Sequence, residues 1–571
     1  MKDGKTKRID FSRKRLAKMA DEYYNEGKYV SALRLAYKEM SLYGVDPDVC
    51  VRFADIYEAM GLQGSAINWL FRCLDISAEE DFPDIYEGLA VNYLNLGNES
   101  QSAYYYNKLI DADDTIPNET KMEIASAFST DKKNGFRFVY PPQLADYSKE
   151  VKLGSLALKA GDCKRAIAEF SKVEKGSKEY LSAKEMEAVS YLLAGKADEA
   201  EKICKEGLEE NPDELRLLAT LAAVYLEQGK AAESELIAKE LSTRQVETED
   251  DLYKVATVCC ENGLHDKAYE KFSLLNKKMP YDGRMLYFTA VAAYKCGKRE
   301  EAEKALDTLC AIYPDAEVAK YYLRTIREGT DEKDGLLYFY HLPQEERERR
   351  CQALISIGKY PREEAQLFGL LALHDGYFKW CFDEIDGSDH DLQYLALVTA
   401  EHVRADEFIR EVLLDFEVKD VLKIEALRML LERNEETELG IVLCNIYKEI
   451  DLPRIKVGRK KHKKFIQSFA KVASKFLVIN ERYGEKLKTA AETLYRALEK
   501  NNGLDLIDST DDCACAIFLL SGLKELGKDA AVIAAAFEAN IARVQVLLSY
   551  VVSETYKPNE KTKEEKQSET D

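Results

Sequence analysis

The chain is 571 residues long, 46% hydrophobic and 32% charged, with a mean hydropathy of -0.38. That length exceeds one compact core, and only 12 prolines and 29 glycines point to long runs of regular structure, so several domains or an extended solenoid are expected. A formal net charge of -21 speaks against generic nucleic-acid binding, which displaces counterions with positive charge, and favours neutral or basic partners.

The 13 cysteines form no C-x-x-C pair, and most sit in helical patterns, as Cys204, Cys259 and Cys296 do. They read as buried free thiols in a reducing compartment. The neighbours Cys259-Cys260 and Cys513-Ala514-Cys515 lack metal-ligand spacing. No apolar run approaches the roughly 18 residues of a membrane span. The charged N-terminus has no apolar segment of a secretory signal. A cytoplasmic location is expected, with no membrane.

Residues 1–12 are a basic arm, part of a stretch that holds eight Lys or Arg within residues 1–18. A solvated arm running into the first helix is the reading. Residues 13–115 contain Gly27, Gly61 and Gly97. Seven before each lies Ala20, Ala54 or Ala90, and four before lies Tyr23, Tyr57 or Tyr93. Five after lies Ala32, Ala66 or Ser102. Residues 116–146 interrupt the pattern, with one helix expected over 119–128. The stretch Gly135 to Pro142, rich in Phe and Tyr, reads as an extended loop.

Residues 147–330 carry the strongest signal. Gly161, Gly195, Gly229, Gly263 and Gly297 recur at a step of 34 residues. Gly154, Ala188, Ala222, Ala256 and Ala290 precede them by seven, and Ala166, Ala200, Ser234, Ala268 and Ala302 follow by five. Pro212, Pro280 and Pro314 close units. A glycine supplies the left-handed residue that ends a helix, small residues let paired helices approach, and proline starts a new unit. This pattern resembles the tetratricopeptide repeat, three units in the first block and five in the second, with residues 315–328 as a capping helix.

Beyond a polar break at Gly329 to Gly335 the period fails. Helices are still expected over 344–357, 361–373, 391–402, 405–416, 419–433 and 436–450. The last two are similar to a HEAT-type hairpin, and residues 331–452 read as an irregular α-solenoid. Residues 453–464 form a basic linker. Its Arg454, Lys456, Arg459, Lys460, Lys461, Lys463 and Lys464 are the candidate phosphate-contacting patch if the chain has a nucleic-acid role. Residues 465–552 read as a small helical domain. Its end, Ile533 to Leu548, is similar to a degenerate helix-turn-helix with Glu538 at the turn and mostly apolar residues where bases would be met. The polar tail 553–571 is expected to be disordered. The fold class is therefore all-α: a right-handed repeat solenoid, an irregular helical region and a C-terminal helical domain.

Signals of catalysis are poor. No Gly-rich phosphate loop, G-x-S-x-G or H-E-x-x-H occurs, and no two histidines share the i, i+4 spacing of a metal pair. His374-Asp375 and Asp389-His390-Asp391 read as solvated turns. No catalytic residue, metal or cofactor is assigned, and the chain reads as a non-enzymatic protein-binding scaffold. The Lys- and Glu-rich, low-proline repeats look bacterial.

The resemblance implies that the first helix of each unit lines a ligand groove at its second, fifth, ninth and twelfth positions. It places Glu185, Arg216, Asp250, Tyr253, Arg284, Tyr287 and Tyr294 there as candidates for holding a peptide or helix. The carboxylate clamp of chaperone-binding members would need basic residues and asparagines. The first block has Ala17, Asp21, Arg52, Asp84 and Gly88 at those places, and the second has Glu185, Val189, Thr220, Asp250 and Lys254. Neither set makes the clamp, which argues against a chaperone-tail adaptor.

Overall fold

The computed structural model describes residues 12–113, 115–117, 120–121, 124, 147–246, 248–330, 335–383, 385, 389–458, 462–480, 482–527 and 529–555. The expected loop over 135–142, most of the helix expected over 119–128, the basic arm before Ser12 and the tail after Thr555 lie outside them. Two compact units form. One joins residues 1–128, 348–381 and 388–571, and the other residues 129–347 and 382–387.

All eight expected repeats are helix pairs. The first helices of the second block are Ser148–Lys159, Tyr180–Leu193, Leu215–Glu227, Glu249–Glu261 and Gly283–Lys295. Each pairing glycine has a positive φ; Gly195 is at 71° and Gly229 at 74°. The next N–H reaches back five residues, as in Lys196 to the Tyr191 carbonyl at 2.9 Å and Lys230 to the Tyr225 carbonyl at 2.7 Å. This closure satisfies carbonyls that a helix end otherwise leaves open. The small residues sit where the helices touch. Ala188, Ala200, Ala222, Ala256 and Ala268 are all buried, and a Cβ on Gly154 would meet the Phe170 ring at 2.7 Å. Where serine replaces alanine, its hydroxyl finds the opposing helix: Ser234 donates to the Ala222 carbonyl at 2.8 Å, and Ser102 to Ala90 at 2.7 Å. Helix Glu317–Glu328 follows the last repeat as expected and ends at Gly329 with φ 68°.

In the other unit, the first block comprises Arg13–Asn25 with Tyr29–Tyr43, Pro47–Ala59 with Gln63–Ile76, and Phe82–Asn95 with Glu99–Ala112. Aromatic rings fill it: Phe53 stacks on Trp69 at 4.1 Å and Tyr93 on Tyr105 at 5.7 Å. The later helices Gln344–Ile357, Arg362–His374, His390–Val403, Asp406–Leu414 and Asp420–Glu432 lie near their expected bounds, with a short helix Tyr377–Cys381 added.

One expected helix is replaced. Residues 436–450 do not continue a HEAT-type pair. They form an antiparallel hairpin, β1 (Thr437–Leu443) and β2 (Ile446–Leu452), joined at Cys444-Asn445. Both turn residues have positive φ, 51° and 62°, the twist that suits a two-residue connection. Thr437, Ile441, Val442, Ile446, Tyr447 and Ile450 favour the strand, because branched and aromatic side chains pack well on a pleated surface. The hairpin tip docks on the first block. Tyr105 donates its hydroxyl to the Asn445 carbonyl at 2.9 Å, and the Tyr447 N–H donates to that hydroxyl at 3.3 Å. Asn68 clamps a neighbouring turn, donating to Asp415 at 3.2 Å and accepting from the Phe416 N–H at 2.9 Å. The N-terminal repeats and the C-terminal half thus share one core.

The C-terminal helices are Lys463–Phe476, Tyr483–Lys500, Thr510–Ser521, Ala530–Ala536 and Ile541–Thr555. Glu538 has φ 57°, so the turn of the last pair takes the conformation glycine would adopt.

Candidate functional site

The candidate groove residues lie on the first helices of the second block, in one unit. Glu185 is buried at 1% exposure and pairs with Lys254, two repeats away. Arg216 donates to Asp251 at 2.7 Å and stands 3.8 Å from Asp250. Thr248 caps the same helix start, accepting from the Asp251 N–H at 3.2 Å. Glu185 and Arg216 therefore tie repeats together. Asp250 and Arg284 are exposed. Tyr253 is half-buried, its ring 6.1 Å from Phe288 and 6.3 Å from Phe272. Tyr294 is also half-buried.

Tyr287 lies elsewhere than a free groove wall. It is fully buried, because residues 336–342, Leu-Leu-Tyr-Phe-Tyr-His-Leu, run over this face without helix or strand and bend over 338–341, where the His341 N–H reaches the Phe339 carbonyl at 2.8 Å. Their burial alternates. Leu336, Tyr340 and Leu342 are buried and Tyr338 is half-buried, while Leu337, Phe339 and His341 face out. The carbonyls of the outward residues are held by tyrosine hydroxyls of the helices. Tyr287 donates to Leu337 at 2.9 Å and to Phe339 at 3.2 Å, and Tyr322 donates to His341 at 2.9 Å. Tyr338 stacks on His265 at 5.8 Å with its hydroxyl 3.2 Å from Nδ1, and Lys295 stands 5.6 Å from the Tyr338 ring centre.

A buried carboxyl fastens the far end of the stretch. Asp383 accepts from the Tyr340 hydroxyl at 3.3 Å, the Val318 N–H at 3.2 Å and the Ile385 N–H at 3.0 Å. Burial pushes its pKa up to about 7, and the three donors pull the other way. Burial pushes the Cys260 thiol well above its ordinary range.

Residues 336–342 fall within the irregular α-solenoid expected over 331–452, ahead of its first expected helix at 344, and they form no helix. The available signal was a seven-residue run, apolar except for His341 and flanked by Gly335 and Pro343. Its seat on distant helices is a tertiary fact with no local mark.

Of the basic linker, Arg454, Lys456, Lys463 and Lys464 are exposed, and Arg459, Lys460 and Lys461 lie outside the described residues. Lys464 donates to the Asp508 carbonyl at 3.1 Å, and the Lys456 N–H donates to Glu492 at 3.0 Å. Among the described residues no cluster of three or more His, Cys, Asp or Glu could hold a metal. Asp389 instead caps the helix His390–Val403, accepting from the N–H groups of Asp391 and Leu392 at 3.1 Å each. Also among the described residues, no single helix is long and apolar enough to cross a membrane. The bent pair Ala530–Ala536 and Ile541–Val552 passes on length and composition only.

The model of the tetratricopeptide repeat family matches residues 191–254. No curated protein matches the chain. Among solved structures, the chain is similar to a tetratricopeptide repeat protein from Parabacteroides merdae, at 15% identity over 56% of this chain and 99% of that one, with a TM-score of 0.26. It is similar to yeast Tom70 at 12% identity over 96% and 97%, with a TM-score of 0.21. It is also similar to the APC/C hetero-tetramer Cut9-Hcn1 at 13% identity over 95% and 96%, with a TM-score of 0.23. Likeness at this level says nothing of what this chain binds. The matched family model places a tetratricopeptide repeat within residues 191–254, and the 34-residue period and the glycine-ended helix pairs that realise it carry the same pattern through residues 147–312.

Proposed function

We propose that the chain is a non-enzymatic interaction scaffold that holds an extended segment of a partner protein on the first-helix face of residues 180–295. One observation carries the reading: the downstream end of this face already seats a non-helical stretch, Leu336 to Leu342, through alternate side chains and tyrosine-to-carbonyl bonds. The same chemistry suits an incoming peptide, because main-chain bonds give affinity for any extended backbone and pockets at every second residue give selection. The open part of the face offers Arg284 and Asp250 as exposed charges and Tyr253 as a half-buried aromatic. Glu185, Lys254 and Arg216 hold the helices beneath it. Aromatic and Arg side chains are the usual anchors of such contacts.

The test uses the full chain with Asp250→Lys and Arg284→Glu together, immobilised beside the native chain in source-cell lysate. Both positions are exposed, so the helical circular dichroism should be unchanged. The reading expects a partner retained by the native chain and lost by the reversed one. Identical retention by both would move the binding surface elsewhere.

A further inference from the structure

The helix Arg362–His374 has its faces reversed. Its buried residues are the small ones, Ala365, Gly369 and Ala372. A Cβ on Gly369 would stand 2.7 Å from Val403, so the small face lies tight on the end of helix His390–Val403. The large apolar residues face solvent instead: Leu367 is 63% exposed, Phe368 41%, Leu370 64% and Leu371 55%. An ordinary surface helix does the opposite, turning its large apolar stripe to the core. At ~100° per residue these four positions cover one continuous side, opposite the small residues. Tyr360, itself 42% exposed, extends the patch by stacking on Phe368 at 5.0 Å.

Together these five side chains expose an apolar area on the order of 500 Å², at the upper end of the ~300–600 Å² of a typical monomer's largest patch, and two such faces together reach the ~1,000 Å² that a specific contact needs. The helix is also complementary to itself. Turned antiparallel about Gly369, Leu367 of one copy meets Leu371 of the other, and Phe368 meets Leu370. The exposed Glu364 at the start of one helix meets the exposed His374 at the end of the other. The helix dipoles then oppose each other, which favours the pair. A patch that satisfies itself under a two-fold rotation is what a closed dimer needs.

We propose that two copies of this chain pair through the helices Arg362–His374, packed antiparallel about Gly369. Sedimentation velocity of the full chain from ~1 to ~100 µM, a range that brackets a micromolar Kd, reads this directly. The native chain should sediment as a dimer at the upper end. Leu367→Glu should make it monomeric with the same far-UV dichroism, since the residue is exposed on a helix that accepts Glu. The register has its own test. Glu364→Lys should weaken the dimer by several-fold, and adding His374→Glu should restore it. A native chain that stays monomeric throughout leaves this face to some other protein and overturns the proposal. So does a dimer that survives Leu367→Glu. If Leu367→Glu proves misfolded, the Glu364/His374 exchange decides alone, and a dimer indifferent to both changes overturns it.

Discussion

Glu185 and Lys254 pair across a whole repeat. Their helices both pack on the intervening helix Leu215–Glu227, where Ala219 and Thr220 are buried at the corresponding level. Glu185 is almost fully buried, its second oxygen has no partner, and the Lys254 side chain is 28% exposed. Removing one member of a buried pair costs more than replacing both with apolar groups, because the survivor is left uncompensated. Lys254 can partly rehydrate, so Glu185→Ala should cost about 2 kcal/mol, below the usual range for a fully buried pair. Glu185→Met with Lys254→Met should cost clearly less than Glu185→Ala. Urea unfolding of the three variants checks this, and equal losses would show that the pair is not what joins the repeats.

Tyr287 should hold the backbone of the seated stretch by its hydroxyl, beside the contact of its ring with Tyr340 at 4.8 Å. Tyr287→Phe keeps the ring and removes the hydroxyl donor of the Leu337 carbonyl, while the Phe339 carbonyl keeps the His341 N–H at 2.8 Å. Loss of such buried bonds costs about 1–3 kcal/mol. Hydrogen exchange should therefore speed up in residues 336–342 by roughly ten-fold or more, since 1.4 kcal/mol is a factor of ten, while the repeats upstream keep their protection. Unchanged exchange there would mean that side-chain burial does all the holding.

Asp383 predicts a pH dependence of defined sign. Its carboxyl is raised from 3.8 to about 7 by burial, with Glu317 adding to the effect. A raised acid pKa means the fold favours the protonated form. The stability this group contributes is full below pH 3.8 and is lost as the pH rises through about 7. Asp383→Asn imitates the protonated carboxyl at every pH. The stability of the native chain minus that of the variant should fall as pH rises from ~5 to ~8. Other titrating groups, including His265 beside Tyr338 and Glu417 in the other unit, are common to both proteins and cancel in the difference. A flat difference would contradict the assignment.

Gly154 is required by space rather than by backbone angle. Gly154→Ala drives a Cβ into the Phe170 ring, with three ring carbons at 2.7, 2.8 and 2.9 Å. Overpacking of this kind costs about 1–3 kcal/mol. Phe170→Leu should recover part of the loss in the double variant, measured by thermal unfolding. Additive losses would show that the ring is not the obstacle.

The repeats were legible because each rests on local sterics. A glycine such as Gly195 must reach φ 71°, and an alanine such as Ala200 must be small enough to be fully buried between helices. Both demands recur every 34 residues, so the sequence repeats them. The hairpin over 437–452 was hidden for a physical reason. Five of the seven β1 residues are buried, from Leu439 to Leu443, which erases the alternation that marks a half-exposed strand. Its turn is Cys-Asn rather than a glycine pair, so the usual punctuation was missing as well. Counting along the helices puts each candidate groove residue on a first helix. Whether each is open depends on what crosses it, and only the fold shows Tyr287 covered while Asp250 and Arg284 stay exposed. The reversed helix Arg362–His374 was readable as a helix, but which of its two apolar faces turns inward was decided by Val403 against Gly369.

If the first-helix face of the second block receives a partner segment, side chains on that face must stand within reach of it. The direct test places a photo-cross-linking amino acid at Tyr253, at Arg284 and at Leu236 in the full chain, expressed in source cells. Leu236 is 73% exposed on a second helix and serves as the control surface. The account predicts a shared protein adduct from positions 253 and 284 and none from 236. Adducts at 236 with none at 253 and 284 would contradict it.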